Sequence, residues 1–144
     1  MQKTVLLSLA VLASPLAIAA NMCTPNLTGF DVCEKAKEIA SQVRPQLPLT
    51  LSENVNMYDI RSDQNKLIAK VRLGMTEDEM LEAAAQNHIT PGMAKNRLGE
   101  MAKSGVCTGK NPIGSFIRLG GEMRYIYTHP SGATYTTVDI TSCK

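Results

Sequence analysis

The residues of this chain best able to do chemistry are four cysteines, two histidines and one tight acidic group. Cys23, Cys33, Cys107 and Cys143 lie too far apart for a zinc knuckle or a thioredoxin-like redox couple, both of which need C-x-x-C-type pairs. No metal site and no cofactor is expected. In a chain delivered to an oxidising compartment, four such cysteines form two disulfides by default. Three connectivities are open. The spacing favours Cys23 with Cys33, around a short loop carrying Pro25 and Gly29, and Cys107 with Cys143, which ties down a chain end. His88 stands at the end of a helical pattern, where a cation suits the helix dipole, and reads as a helix-end residue. His129 falls in "HPSG" and reads as a turn residue. Glu77, Asp78, Glu79 and Glu82 follow Thr76 in a helix first turn, so they form a solvated, dipole-matched face rather than a metal or acid–base site. No G-x-S-x-G or comparable nucleophile context occurs, no catalytic residue is assigned, and the chain is expected not to be an enzyme.

The elements that position these residues begin after a removable segment. Residues 1–19 carry one charge at Lys3, an apolar run from Val5 to Ala13 and a small-x-small site at Ala17-Ile18-Ala19, the layout of a secretory signal peptide. The run is well short of the roughly 20 apolar residues of a membrane-spanning helix. A lipoprotein would need a small residue directly before its acylated cysteine and an aliphatic one three positions before. Met22 and Ala20 occupy those places, so no lipid anchor is expected on Cys23. Residues 20–144 are then a single exported domain, periplasmic or secreted.

The whole chain has 15 basic and 13 acidic side chains. Loss of Lys3 leaves it near neutral, unlike a nucleic-acid binder. With no Trp and two Phe, its core must be aliphatic. Thr28 and Asp31 stand at capping-box spacing before a helix with Val32, Ala36, Ile39, Ala40 and Val43 on one face, stopped by Pro45 and Pro48. Residues 55–61 and 66–73 flank "SDQN" and read as a β-hairpin. Thr76 and Glu79 open a second helix running to about His88, and Thr90-Pro91 a third that ends at Gly105. Met80, Met93 and Met101 take core or near-core positions in these patterns. A short fourth helix starts at Asn111-Pro112, and residues 122–128 and 133–141 form a second hairpin around His129-Pro130-Ser131-Gly132. The expected fold is α+β: one antiparallel sheet of about four strands, covered on one face by three or four helices, with two disulfides.

Strand alternation turns Leu67, Ala69, Val71 and Leu73 inward, with Met123, Tyr125, Tyr127, Val138 and Ile140. It turns Lys66, Ile68, Lys70, Arg72, Arg124 and Ile126 outward, together with Tyr135, Thr137 and Asp139. The candidate partner-binding surface is therefore the open sheet face, through Lys66, Ile68, Lys70, Arg72, Arg124 and Tyr135.

Two resemblances bear on function. "SGATY", Ser131 to Tyr135, is similar to the SGxxY loop of periplasmic C-type lysozyme inhibitors, although their second loop motif is absent here. Residues 47–143, with a cysteine before a Tyr-rich hairpin and another at the chain end, resemble a diffuse group of small exported Gram-negative proteins. That layout is loosely similar to the AspS-type pilotins of type II secretion, lipoproteins that dock a helix of the secretin, but lacks their lipobox. The resemblance implies a non-enzymatic binding or accessory protein acting on another envelope protein. A periplasmic immunity protein, a lysozyme-type inhibitor and a small envelope hydrolase are the alternatives.

Overall fold

The computed structural model describes residues 21–144; the expected signal peptide, 1–19, lies outside the described residues. Helix α1 (Val32–Val43) is followed by one 3₁₀ turn at Arg44–Gln46, then by strands β1 (Leu49–Ser52), β2 (Val55–Asp63) and β3 (Lys66–Leu73). Helices α2 (Glu77–Gln86), α3 (Pro91–Cys107) and α4 (Pro112–Arg118) precede strands β4 (Glu122–Thr128) and β5 (Thr134–Ile140).

Local chemistry explains most boundaries. Asp31 caps α1 by accepting from the Glu34 amide at 2.9 Å, so the capping residue is Asp31 and not Thr28, whose hydroxyl stays within the preceding loop at Asn26. Thr76 and Glu79 form a reciprocal capping box on α2. Thr90 caps α3 ahead of Pro91, and Asn111 caps α4 ahead of Pro112. Helix α2 ends two residues before His88, which adopts a left-handed conformation at φ 54°. Helix α3 continues through Gly105 to Cys107, because a helix-ending glycine must turn left-handed and Gly105 does not. In α4, Gly114 is required by close approach: a Cβ there would collide with the Val106 carbonyl at the end of α3.

The sheet has five strands in the order β1-β2-β3-β4-β5, not four. It is also mixed rather than antiparallel throughout, since β3 pairs with β4 in parallel, Leu67 opposite Met123 and Val71 opposite Tyr127. The cause lies in the connection. Three helices separate the hairpins and carry the chain back to the end from which β3 set out, which a parallel pairing requires.

One core lies between the sheet and the helices. Leu67, Ala69, Val71 and Met123 pack with Val32, Ala36 and Ile39 of α1 and with Phe116 and Ile117 of α4. Helix α1 lies on β2 and β3, α4 on β4, and α3 on β5 and α4. Disulfides join Cys23 to Cys33 and Cys107 to Cys143, the pairing favoured by spacing. No described helix is long and apolar enough to cross a membrane.

Candidate binding groove

The chemistry-bearing residues are largely occupied by the fold itself. Glu79 accepts from the Thr76 amide at 2.8 Å, and Glu82 accepts from Gln86. Asp31 lies beside Cys23 and Cys33, but both sulfurs are spent in a disulfide and the carboxylate caps α1. His129 is more than a turn residue. It is 4% exposed, and its Nδ1 lies 3.0 Å from the Met75 carbonyl, which fixes that nitrogen as the N–H donor. The ring meets Tyr135 edge-on at 5.2 Å, beside a small cavity of ≈ 180 Å³ bordered by Glu77 and Lys95. With a carbonyl behind Nδ1, the ring lacks the orienting carboxylate of a hydrolytic triad.

The outer sheet face holds five of the six residues assigned to it. The alternation expected for β3 and β4 is observed. Lys66 pairs with Glu122 at 3.1 Å, and Arg124 grips Asp139 with two bonds of 2.6 and 2.9 Å. Hydrogen bonding to Arg124 holds the Asp139 carboxyl below the usual carboxylate range and raises the guanidinium in turn. Arg72 stacks over Tyr58 at 4.7 Å, and Lys70 stands opposite Asp59. Ile68 points outward but is buried, and it stands outside the core cluster, between its strand neighbours Arg61 and Arg124. Tyr135 departs from the expected alternation. Thr134 pairs with Thr128 and Thr136 with Tyr127, so Tyr135 is the extra residue of a bulge. A bulge re-aims its side chain, and Tyr135 faces the helices, with the Lys95 ammonium 5.2 Å from its ring.

The more distinctive feature is on the helical side. Of the described residues of the 17-residue α3, Val106 alone is buried. Leu98, Met101, Ala102 and Gly105, spaced as one helix face, line a groove of ≈ 390 Å³ whose other wall is Leu51, Ser52 and Val55 and whose floor is Tyr125 and Tyr127. Met101 is 69% exposed and Leu51 42%. Val55 also borders a neighbouring recess with Leu73, Met75 and Met80, which extends the apolar surface toward α2. Two expectations are corrected here: Met101 and Met93 are exposed rather than core residues. Leu98, Met101 and Ala102 recur at helical spacing in the sequence, but periodicity alone does not tell a stripe sealed in the core from one that also lines an open groove.

No family model matches this chain, and no curated protein matches it significantly in sequence. Solved structures do match. The type II secretion system pilotin AspS from Vibrio cholerae superposes with a TM-score of 0.58 at 18% identity, over 76% of this chain and 88% of that one. The type 2 secretion system pilotin EpsS from Vibrio vulnificus gives 0.56 at 13% identity, over 78% and 92%. A protein of Pseudomonas aeruginosa described as secreted gives 0.56 at 15% identity, over 78% and 93%. At these identities the likeness is one of fold.

Proposed function

We propose that this chain is a non-enzymatic accessory protein of a bacterial envelope secretion machinery, exported and soluble, which holds an amphipathic helix of a partner in the groove between β1 and α3. The observation that carries this reading is that Leu98 and Ala102 of α3, packed against the rim of the core, join the exposed Met101 and Gly105 in lining an open groove. An apolar strip on a helix, facing a second apolar wall across open space, is the layout that receives an amphipathic helix. The fold shared with two pilotins supports the setting, and the secretin of the same organism is the partner we propose. The mode of attachment differs from a lipoprotein's. A Cys23 sulfur bonded to Cys33 has no bond left for a thioether-linked lipid. The outer sheet face is a less suitable contact, because Lys66, Arg72 and Arg124 already have partners there.

Overlapping peptides covering the secretin, titrated calorimetrically into the protein of residues 20–144, test the reading. One segment should bind at micromolar strength, about −8 kcal/mol. Met101→Glu, which places a charge on the groove wall, should weaken it at least about tenfold. If no secretin peptide binds, or if the bound one is indifferent to Met101→Glu, the proposed function is wrong.

A further inference from the structure

The groove floor contains two polar atoms that the fold does not use. Tyr125 is 8% exposed and Tyr127 5%, yet neither hydroxyl has a hydrogen-bond partner among the described residues. Among the described residues, no fully buried side-chain oxygen or nitrogen is left unpartnered. Each hydroxyl therefore reaches surface, and the surface that both side chains share is the groove. The rings stand two residues apart on β4, with centroids 6.0 Å apart and planes 33° from one another, so both phenols lie within the one groove floor. Burial raises both phenols, Tyr127 to about 12 and Tyr125 further, which keeps them protonated and able to donate.

We infer that the groove selects a helix whose apolar stripe is interrupted by one neutral hydrogen-bonding side chain, a carboxamide in the best case, received by the hydroxyls of Tyr125 and Tyr127. The inference rests on the groove reading above and specifies its occupant. A purely apolar helix would cover both hydroxyls and leave them without partners, which is unfavourable for buried polar groups. A carboxylate would gain two donors, but the residues lining the groove include no cation to balance it, and an unpaired buried charge costs far more than a neutral group. A carboxamide offers an acceptor to one hydroxyl and a donor to the other. Its apolar neighbours on the same helix face would meet Leu51, Leu98 and Met101.

The test uses three synthetic helices, identical except at one central position of a leucine stripe, where they carry Gln, Leu or Glu. Each is titrated into the wild-type protein, the Tyr125→Phe/Tyr127→Phe variant and Met101→Glu. The Gln helix should bind wild type about tenfold more tightly than the Leu helix, and this preference should disappear in the double Phe variant, which keeps both rings. Two outcomes overturn the inference while leaving the groove in place: a preference unchanged by the double substitution, or tightest binding by the Glu helix, with all binding still weakened by Met101→Glu. Failure of all three helices to bind, or binding indifferent to Met101→Glu, overturns both the inference and the groove reading.

Discussion

Gly105 offers a substitution whose effects on stability and on binding should run in opposite directions. It lies inside α3 in a helical conformation, and a Cβ added there meets nothing within 4 Å. Replacing a helical glycine by leucine gains about 0.5–1 kcal/mol in helix propensity, with the lower figure apt so near the helix end. For a domain of this size that raises Tm by roughly 2–5 °C. The new side chain projects into the groove of ≈ 390 Å³ where a docked helix would rest. Overfilling a packed contact costs about 1–3 kcal/mol, so peptide affinity should fall by about tenfold to a hundredfold. Gly99→Ala supplies the control. Its Cβ would meet Val138 at 3.9 Å, ordinary contact on the β5 side of the same helix, so it should stabilise the protein and leave binding alone. Circular-dichroism melting and calorimetric titration read the two effects. A lower Tm for Gly105→Leu would show that the space beside Gly105 is filled. A higher Tm with unchanged affinity would show that the partner sits elsewhere.

Three further outcomes are expected. Cys107→Ser with Cys143→Ser releases a loop of 36 residues' separation and should cost about 4 kcal/mol in the chain-entropy model, read by denaturant titration; a loss below about 1 kcal/mol would refute it. Asp139→Asn removes a carboxyl whose folded-state pKa is depressed by Arg124, so its contribution is present above the unfolded pKa and is lost as pH falls through the folded one. The pair is surface-exposed, so the cost at neutral pH should be small and vanish in acid, whereas a cost independent of pH would exclude this ion pair as its source. His88→Gly removes a left-handed conformation from a residue with a Cβ and should raise stability by about 1 kcal/mol; no rise in Tm would mean that the imidazole makes a compensating contact.

The parts of the fold legible in sequence are those decided within a few residues of one another. The Thr76–Glu79 box, Thr90-Pro91, Asn111-Pro112 and the two hairpins are short-range chemistry, and all are observed. The alternation of Leu67 with Lys66, and of Tyr125 with Arg124, follows from strand geometry alone. Strand β1 carries no local signal in the sequence, because Leu49–Ser52 is exposed along its whole length and no buried face marks it. The parallel joining of β3 to β4 is a pairing between distant segments, which no local pattern encodes. The bulge that turns Tyr135 toward α3 shows how one extra residue reverses an otherwise sound parity argument. The groove was hidden for the same reason as the sheet order: Leu51, Met101 and Tyr125 come together only once the chain is folded.

The parallel seam also sets the order of events during folding. Each hairpin is a local structure that forms within about 1–10 μs, but Lys66 cannot meet Glu122 until the three intervening helices have collapsed. Docking of the two halves is thus the slow step, as contacts of long sequence separation require. Until then both β3 and β4 carry a bare edge, the part of a sheet that most readily recruits another chain. At high concentration the β4–β5 hairpin of one molecule can complete the sheet of another, giving an interlocked dimer of native-like halves. The yield of monomer on refolding should consequently fall as protein concentration rises.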